Sequence, residues 1–245
     1  MLNVAANGDV TGIGGSGIRA IADGSAEANP GIGVTVTTGA GTTVSGGIYG
    51  IFATNADYGD LTVTANGNVT GSEAIVATNG INGANLYVTI GVYSTVTGST
   101  NGIRAGNLGD GLLTISVDGD VSSTVGDGIQ ATNSAAGTDT NILTAVGHAV
   151  SGTTGIYANH SGTGALTVNA SGIVTAQRPA ASTRGARARC PAIFGHDVAY
   201  AVTGATVGVY AANSGLGATS ITAKATSPAP PATQSRPQTT APTSP

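Results

Sequence analysis

The chain is 245 residues long, with 40 glycines, no tryptophan, two phenylalanines and only 8% charged residues. No segment sets apolar residues at helical spacing among strong helix formers, which excludes an ordinary helical globule. The net charge of −4 and pI near 5.1 give no basic surface for nucleic acid.

The opening residues, Met1-Leu2-Asn3-Val4, lead straight into a repeat, with neither a basic n-region nor an apolar h-region, so no signal peptide is expected and the start looks internal to a repeat array. Residues 2–12 (LNVAANGDVTG) predict two short strands about an Asn7-Gly8 turn. Residues 13–31 are looser, with Gly17-Ile18-Arg19-Ala20 and an insertion around Asn29-Pro30-Gly31. The next rung opens with Val34-Thr35-Val36-Thr37 and closes at Asn55. Further rungs are expected to open at Leu61, Leu86, Leu113, Leu143 and Leu166.

The unit is clearest at 61–79, LTVTANGNVTGSEAIVATN. Its closing phrase recurs as GIFATN (Gly50–Asn55), AIVATN (Ala74–Asn79), GIRAGN (Gly102–Asn107), GIQATN (Gly128–Asn133) and GVYAAN (Gly208–Asn213). Measured between Ile51, Ile75, Ile103, Ile129 and Ile156, the spacings are 24, 28, 26 and 27 residues. A second marker keeps the same beat at Val44, Val69, Val96, Val121, Val150 and Val174. Such a period predicts a solenoid, because no single repeat can bury its own apolar face.

The expected fold is therefore all-β, a right-handed parallel β-helix of about eight coils of 24–28 residues. Alternation puts Leu61/Val63, Leu86/Val88, Leu113/Ile115 and Leu166/Val168 inside as aliphatic columns. Asn66-Gly67, Asp118-Gly119 and Asn7-Gly8 are expected to turn the corners with positive φ. Asn55, Asn79, Asn107, Asn133 and Asn213 are expected to stack as an amide ladder, with His160 in the equivalent place.

The repeat is lost from about Ala176 to Val198, which holds Arg178, Arg184, Arg187, Arg189 and Cys190, the only cysteine. That single cysteine excludes an internal disulfide framework and a cysteine zinc site. Ile156 and Val209 stand 53 residues apart, close to two periods, so length is kept where composition is not. A compensated reading-frame shift and a decorated loop both account for this. The expected organisation is solenoid repeats over 1–175, a degenerate coil or irregular insert over 176–202, a last coil over 203–226 and a disordered Pro/Thr/Ser-rich tail over 227–245. No apolar run approaches the roughly 20 residues of a membrane-spanning helix.

These repeats, LTVTANGNVTG followed by GI-x-A-x-N, resemble the passenger region of bacterial autotransporters over residues 1–175 and again over 203–225. The resemblance implies a β-helical rod at the cell surface or secreted, the parent protein linked to an outer-membrane barrel. It implies a role as adhesin or stalk, with host or abiotic surfaces, proteins or glycans as partners, no nucleic acid and no cofactor. The tail is expected to supply none of the roughly ten-residue alternating strands with aromatic girdles that a barrel requires.

No catalytic, cofactor-binding or metal residue is expected, and no binding residue is assigned. Gly12-Ile13-Gly14-Gly15-Ser16-Gly17 fits G-x-G-x-x-G, but a dinucleotide site needs a helix after it. Asp118 and Asp120, with Asp110 and Asp127 nearby, and Asp57 and Asp60 about Tyr58, are the acids a β-helical polysaccharide-degrading enzyme would use. Turn chemistry explains them better, since Asp118-Gly119-Asp120 stands where other coils have Asn-Gly-Asn. His148, His160 and His196 share no metal-ligand spacing. The outward pairs Thr35/Thr37, Thr62/Thr64, Tyr87/Thr89, Thr114/Ser116, Thr167/Asn169 and Ser220/Thr222 predict two hydroxyl columns, interrupted at Tyr87, Val146 and Asn169. They carry the alternative of an ice- or carbohydrate-binding solenoid. Phe52, Tyr157 and Tyr210 are expected on another outer face, available for stacking.

Overall fold

In the computed structural model, residues 1–23, 33–176 and 208–223 are described. The described residues form twenty strands. The first layer is β1 (Leu2–Ala6), β2 (Val10–Gly12) and β3 (Ser16–Ala22); the second is β4 (Val34–Thr38), β5 (Thr43–Gly46) and β6 (Tyr49–Asn55). Two layers follow in which the second and third strands run together: β7 (Leu61–Ala65) with β8 (Asn68–Asn79), and β9 (Leu86–Ile90) with β10 (Thr95–Asn107). The three-strand pattern returns with β11 (Leu113–Val117), β12 (Asp120–Ser123) and β13 (Ile129–Asn133), then β14 (Thr140–Thr144), β15 (Ala149–Gly152) and β16 (Ile156–His160). Last come β17 (Leu166–Ala170), β18 (Ile173–Ala176), β19 (Val209–Asn213) and β20 (Thr219–Ala223).

Strands that are one period apart pair in parallel and in register. One sheet has the order β1-β4-β7-β9-β11-β14-β17-β20; the other, of twelve strands, carries the valine and isoleucine strands of successive coils. The fold is an all-β parallel solenoid, and no helix occurs among the described residues, hence none long and apolar enough to cross a membrane. The expected stack of about eight coils is corrected: five turns, residues 34–160, follow one another without a break in the described chain. The higher count treated every strand opening as a full coil, including those flanked by residues that are not described. The expected insert and the Pro/Thr/Ser-rich tail fall on 177–207 and 224–245, outside the described residues. Val209 pairs directly with Ile156, one layer away.

Alternation builds the interior. Leu61, Val63 and Ala65 are wholly buried, and the register places them on Leu86, Val88 and Ile90 of the next coil, then Leu113, Ile115 and Val117. The Val44–Val174 and Ile51–Ile156 columns line the other walls. Each fully buried aliphatic side chain contributes about 1.5–3 kcal/mol, so the stack is held by its columns. The strand expected to open at Leu143 opens instead at Thr140, which pairs with Leu113 and Leu166, while Leu143 faces outward.

The repeat unit is a pair of coils. From the first inward residue of a coil to its valine marker the chain takes eight residues (Leu2–Val10), then ten (Val34–Val44), eight (Leu61–Val69), ten (Leu86–Val96), eight (Leu113–Val121), ten (Thr140–Val150) and eight (Leu166–Val174). Each short corner donates a backbone N–H, from Asn68, Asp120 or Ile173, to a carbonyl of the long corner before it, at 2.8–3.0 Å. Each long corner donates an N–H, from Thr43, Thr95 or Ala149, to the side chain of Asp9, Asn68 or Asp120 at 2.7–2.9 Å. A carboxylate or amide thus supplies the acceptor that the longer turn draws out of backbone reach.

This arrangement corrects the expected role of the corner glycines. None of Gly8, Gly67 and Gly119 has a positive φ. A Cβ at Gly67 would stand 2.3 Å from the Thr42 carbonyl oxygen, and one at Gly119 2.3 Å from that of Ser94. These glycines let one coil's corner touch the next. Positive φ falls instead on the long corners, at Gly41, Tyr93 and Gly147, and on Gly59 just before β7.

The amide ladder is also corrected. Only Asn55 donates to a neighbouring ladder amide, Asn79, at 3.1 Å. The others close their own corners. Where six residues separate the asparagine from the next strand opening, its Nδ2 donates four residues on: Asn55 to Gly59, Asn107 to Gly111, Asn213 to Gly217. Where seven separate them, it reaches further, Asn79 to Ala84 and Asn85, Asn133 to Asp139.

Candidate functional site

Two of the six acids singled out in the sequence, Asp60 and Asp120, serve as corner acceptors. Asp60 Oδ1 accepts from the backbone and side-chain nitrogens of Asn85, both at 3.0 Å. Asp120 Oδ1 accepts from Ala149 N and stands 3.5 Å from His148 Nδ1. Asp139, not singled out, performs the same service for Ala165 N at 2.7 Å. Among the described residues no group of three or more His, Cys, Asp or Glu could hold a metal ion.

Asp127 differs. Burial pushes its carboxyl above its ordinary 3.8, and a hydrogen bond from Thr154 pulls it partly back. The folded state therefore keeps this proton to a higher pH than the unfolded chain. The contribution to stability is complete below pH 3.8 and lost as pH rises through the folded value. Asp127→Asn is expected to melt with the parent at pH 3 and above it at pH 7; thermal denaturation at the two pH values checks this.

The G-x-G-x-x-G segment is a bend between β2 and β3. A Cβ at Gly12 would meet the Ser16 carbonyl at 2.1 Å, and a strand, not a helix, follows. His160 is fully buried and structural. Its Nε2–H donates to the Gly164 carbonyl at 3.0 Å, which leaves Nδ1 to accept from the Thr140 hydroxyl at 2.9 Å. His196, Cys190 and the arginines of 184–189 lie outside the described residues.

Two outer faces remain. On the eight-stranded sheet, Thr35 registers with Thr62, and Thr37 with Thr64 and Thr89. Tyr87 interrupts the first column as expected, and Asn169 the second. The third interruption is not Val146, which lies in a corner, but Asn141 and Leu143. On the other sheet Phe52 packs against Tyr49 at 4.9 Å with the Arg19 guanidinium 5.8 Å from its ring centre. Tyr157 and Tyr210 stack on each other at 4.9 Å, their planes 7° apart. These rings give part of their faces to their neighbours.

The sequence reading missed Tyr93. It is 91% exposed at the tip of a long corner, with a φ of 64° where the two sister corners have glycine. Its signal was the pairing of coils, since only that pairing aligns GVYS with GAGT and AVGH.

Fold and corners together define the class, a parallel β-solenoid built of coil pairs. No protein-family model, curated protein or solved structure matches this chain.

Proposed function

We propose that this chain is a non-enzymatic segment of a bacterial surface or secreted protein of autotransporter passenger type, serving as an adhesin or structural stalk. The coil is taken as right-handed, the hand favoured by parallel crossovers. One observation carries the reading: the chain spends its sequence on a continuous stack of buried aliphatic columns, with acids and amides used to join one coil to the next. A rod grown this way gains length and outer surface with every coil, which suits presentation away from a cell. The parent protein would carry the export barrel. An antibody against residues 34–160 should label intact cells of the source organism, and protease added outside should remove the label. Labelling only after permeabilisation overturns the reading.

The registered threonines at 35/62 and 37/64/89 favour a second reading, an ice- or carbohydrate-binding face. Thermal hysteresis in a solution of the purified chain tests its ice-binding form. Release of reducing ends from acidic polysaccharides would instead revive the enzyme alternative.

A further inference from the structure

Tyr93 is the one described residue other than glycine with a positive φ. It occupies the third position of a long corner whose end is closed by Ser94 N–H donating to the Gly91 carbonyl at 3.2 Å. Gly41 and Gly147 take the same position in the long corners two coils away on either side, with φ of 72° and 88°. That backbone suits glycine, because a Cβ crowds the carbonyl in the left-handed region. A bulky residue kept there against local preference points to a use for its side chain.

The surroundings say what the side chain meets. Tyr93 is 91% exposed and Val92 beside it 55%, so the ring is open to solvent. The corners one coil to either side carry Asn66 and Asp118, both half-buried, neither with a side-chain hydrogen bond among the described residues. Register sets both level with Gly91, two residues before Tyr93, and coils stack about 4.8 Å apart, so the two groups stand roughly 9–10 Å apart astride the corner that carries the tyrosine. Asp120 follows in the corner of Asp118, and the whole chain is acidic. The combination is an open aromatic ring on a corner flanked by an amide and a carboxylate, in a field that repels anions.

We infer that the Tyr93 corner binds a neutral polysaccharide, the ring stacking on the C–H face of a pyranose while Asn66 and Asp118 bond hydroxyls on neighbouring sugars. A β-linked glucan suits it best, since its rings present axial C–H groups on both faces and carry no charge. This names the partner class of the adhesive reading and rests on it.

Affinity electrophoresis of the full chain in gels with soluble β-glucan, or with alginate as the acidic control, tests the site. The parent chain is expected to be retarded by β-glucan and not by alginate. Tyr93→Ala should weaken the retardation at least tenfold, and Tyr93→Phe should keep most of it. Tyr93→Gly should lose it while melting a few degrees higher, because glycine relieves the backbone. A parent chain that runs alike with and without β-glucan overturns the inference, as does a Tyr93→Gly variant still retarded or melting lower. Either failure leaves the cell-labelling result untouched, so the surface reading is judged separately.

Discussion

Gly102→Ala is expected to destabilise the solenoid by about 3 kcal/mol, at the upper end of what overpacking costs. Gly106→Ala, in the same strand, should leave stability unchanged or raise it by about 0.4–1 kcal/mol through the unfolded state. A Cβ at Gly102 would meet the Gly128 carbonyl oxygen at 2.6 Å, Val121 Cγ1 at 2.6 Å and the Ser122 carbonyl oxygen at 3.1 Å. Two of these are backbone atoms of the next coil, held by the ladder that joins β10 to β12 and β13. A Cβ at Gly106 meets nothing within 4 Å. Ala74 shows that a methyl is accommodated at the equivalent place in β8, so the obstruction belongs to the atoms facing Gly102 and not to the phrase as such. Thermal melts followed by circular dichroism should place Gly102→Ala roughly 6–12 °C below the parent. Equal midpoints for the two variants would refute the close-approach account.

That contrast marks what a sequence reader sees. Leu61, Val63 and their counterparts announce the fold, because burial on one face of a strand forces alternation and stacking forces the same residues to return at each coil. Glycine announces nothing so definite. Gly67, Gly102 and Gly147 look alike in sequence, yet the first two yield space to a neighbouring coil and the third provides a left-handed turn. Nothing local separates these duties; the neighbour that imposes them lies about one coil away.

Tyr93 was illegible for a related reason. Its oddity exists only against Gly41 and Gly147, and those align with it only when coils are read in pairs. The acids were legible in part. Asp118-Gly119-Asp120 looked like turn chemistry, and Asp120 does cap the next coil's Ala149, yet Asp118 has no such partner among the described residues. It is the unpartnered member of the pair that enters the proposed site.

His160 and Thr140 are expected to behave as one unit. Register places them where the preceding coil has Asn133 and Leu113, so two departures from the repeat meet in the interior. Each explains the other: the Thr140 hydroxyl donates to Nδ1, and no leucine there would do so. His160→Asn alone should cost about 2 kcal/mol, since the shorter amide can still reach Gly164, as Asn107 reaches Gly111, but leaves a buried hydroxyl without a partner. Thr140→Leu alone should cost as much or more, because a larger apolar group is pressed against an imidazole nitrogen that has lost its donor. The double variant restores the leucine and asparagine of neighbouring coils. It should return to within about 1 kcal/mol of the parent, a coupling at the high end of the range for residues in contact. Urea denaturation of the four proteins closes the cycle. Additive losses would mean that the two side chains do not share the bond on which this account depends, each substitution carrying its cost independently of the other.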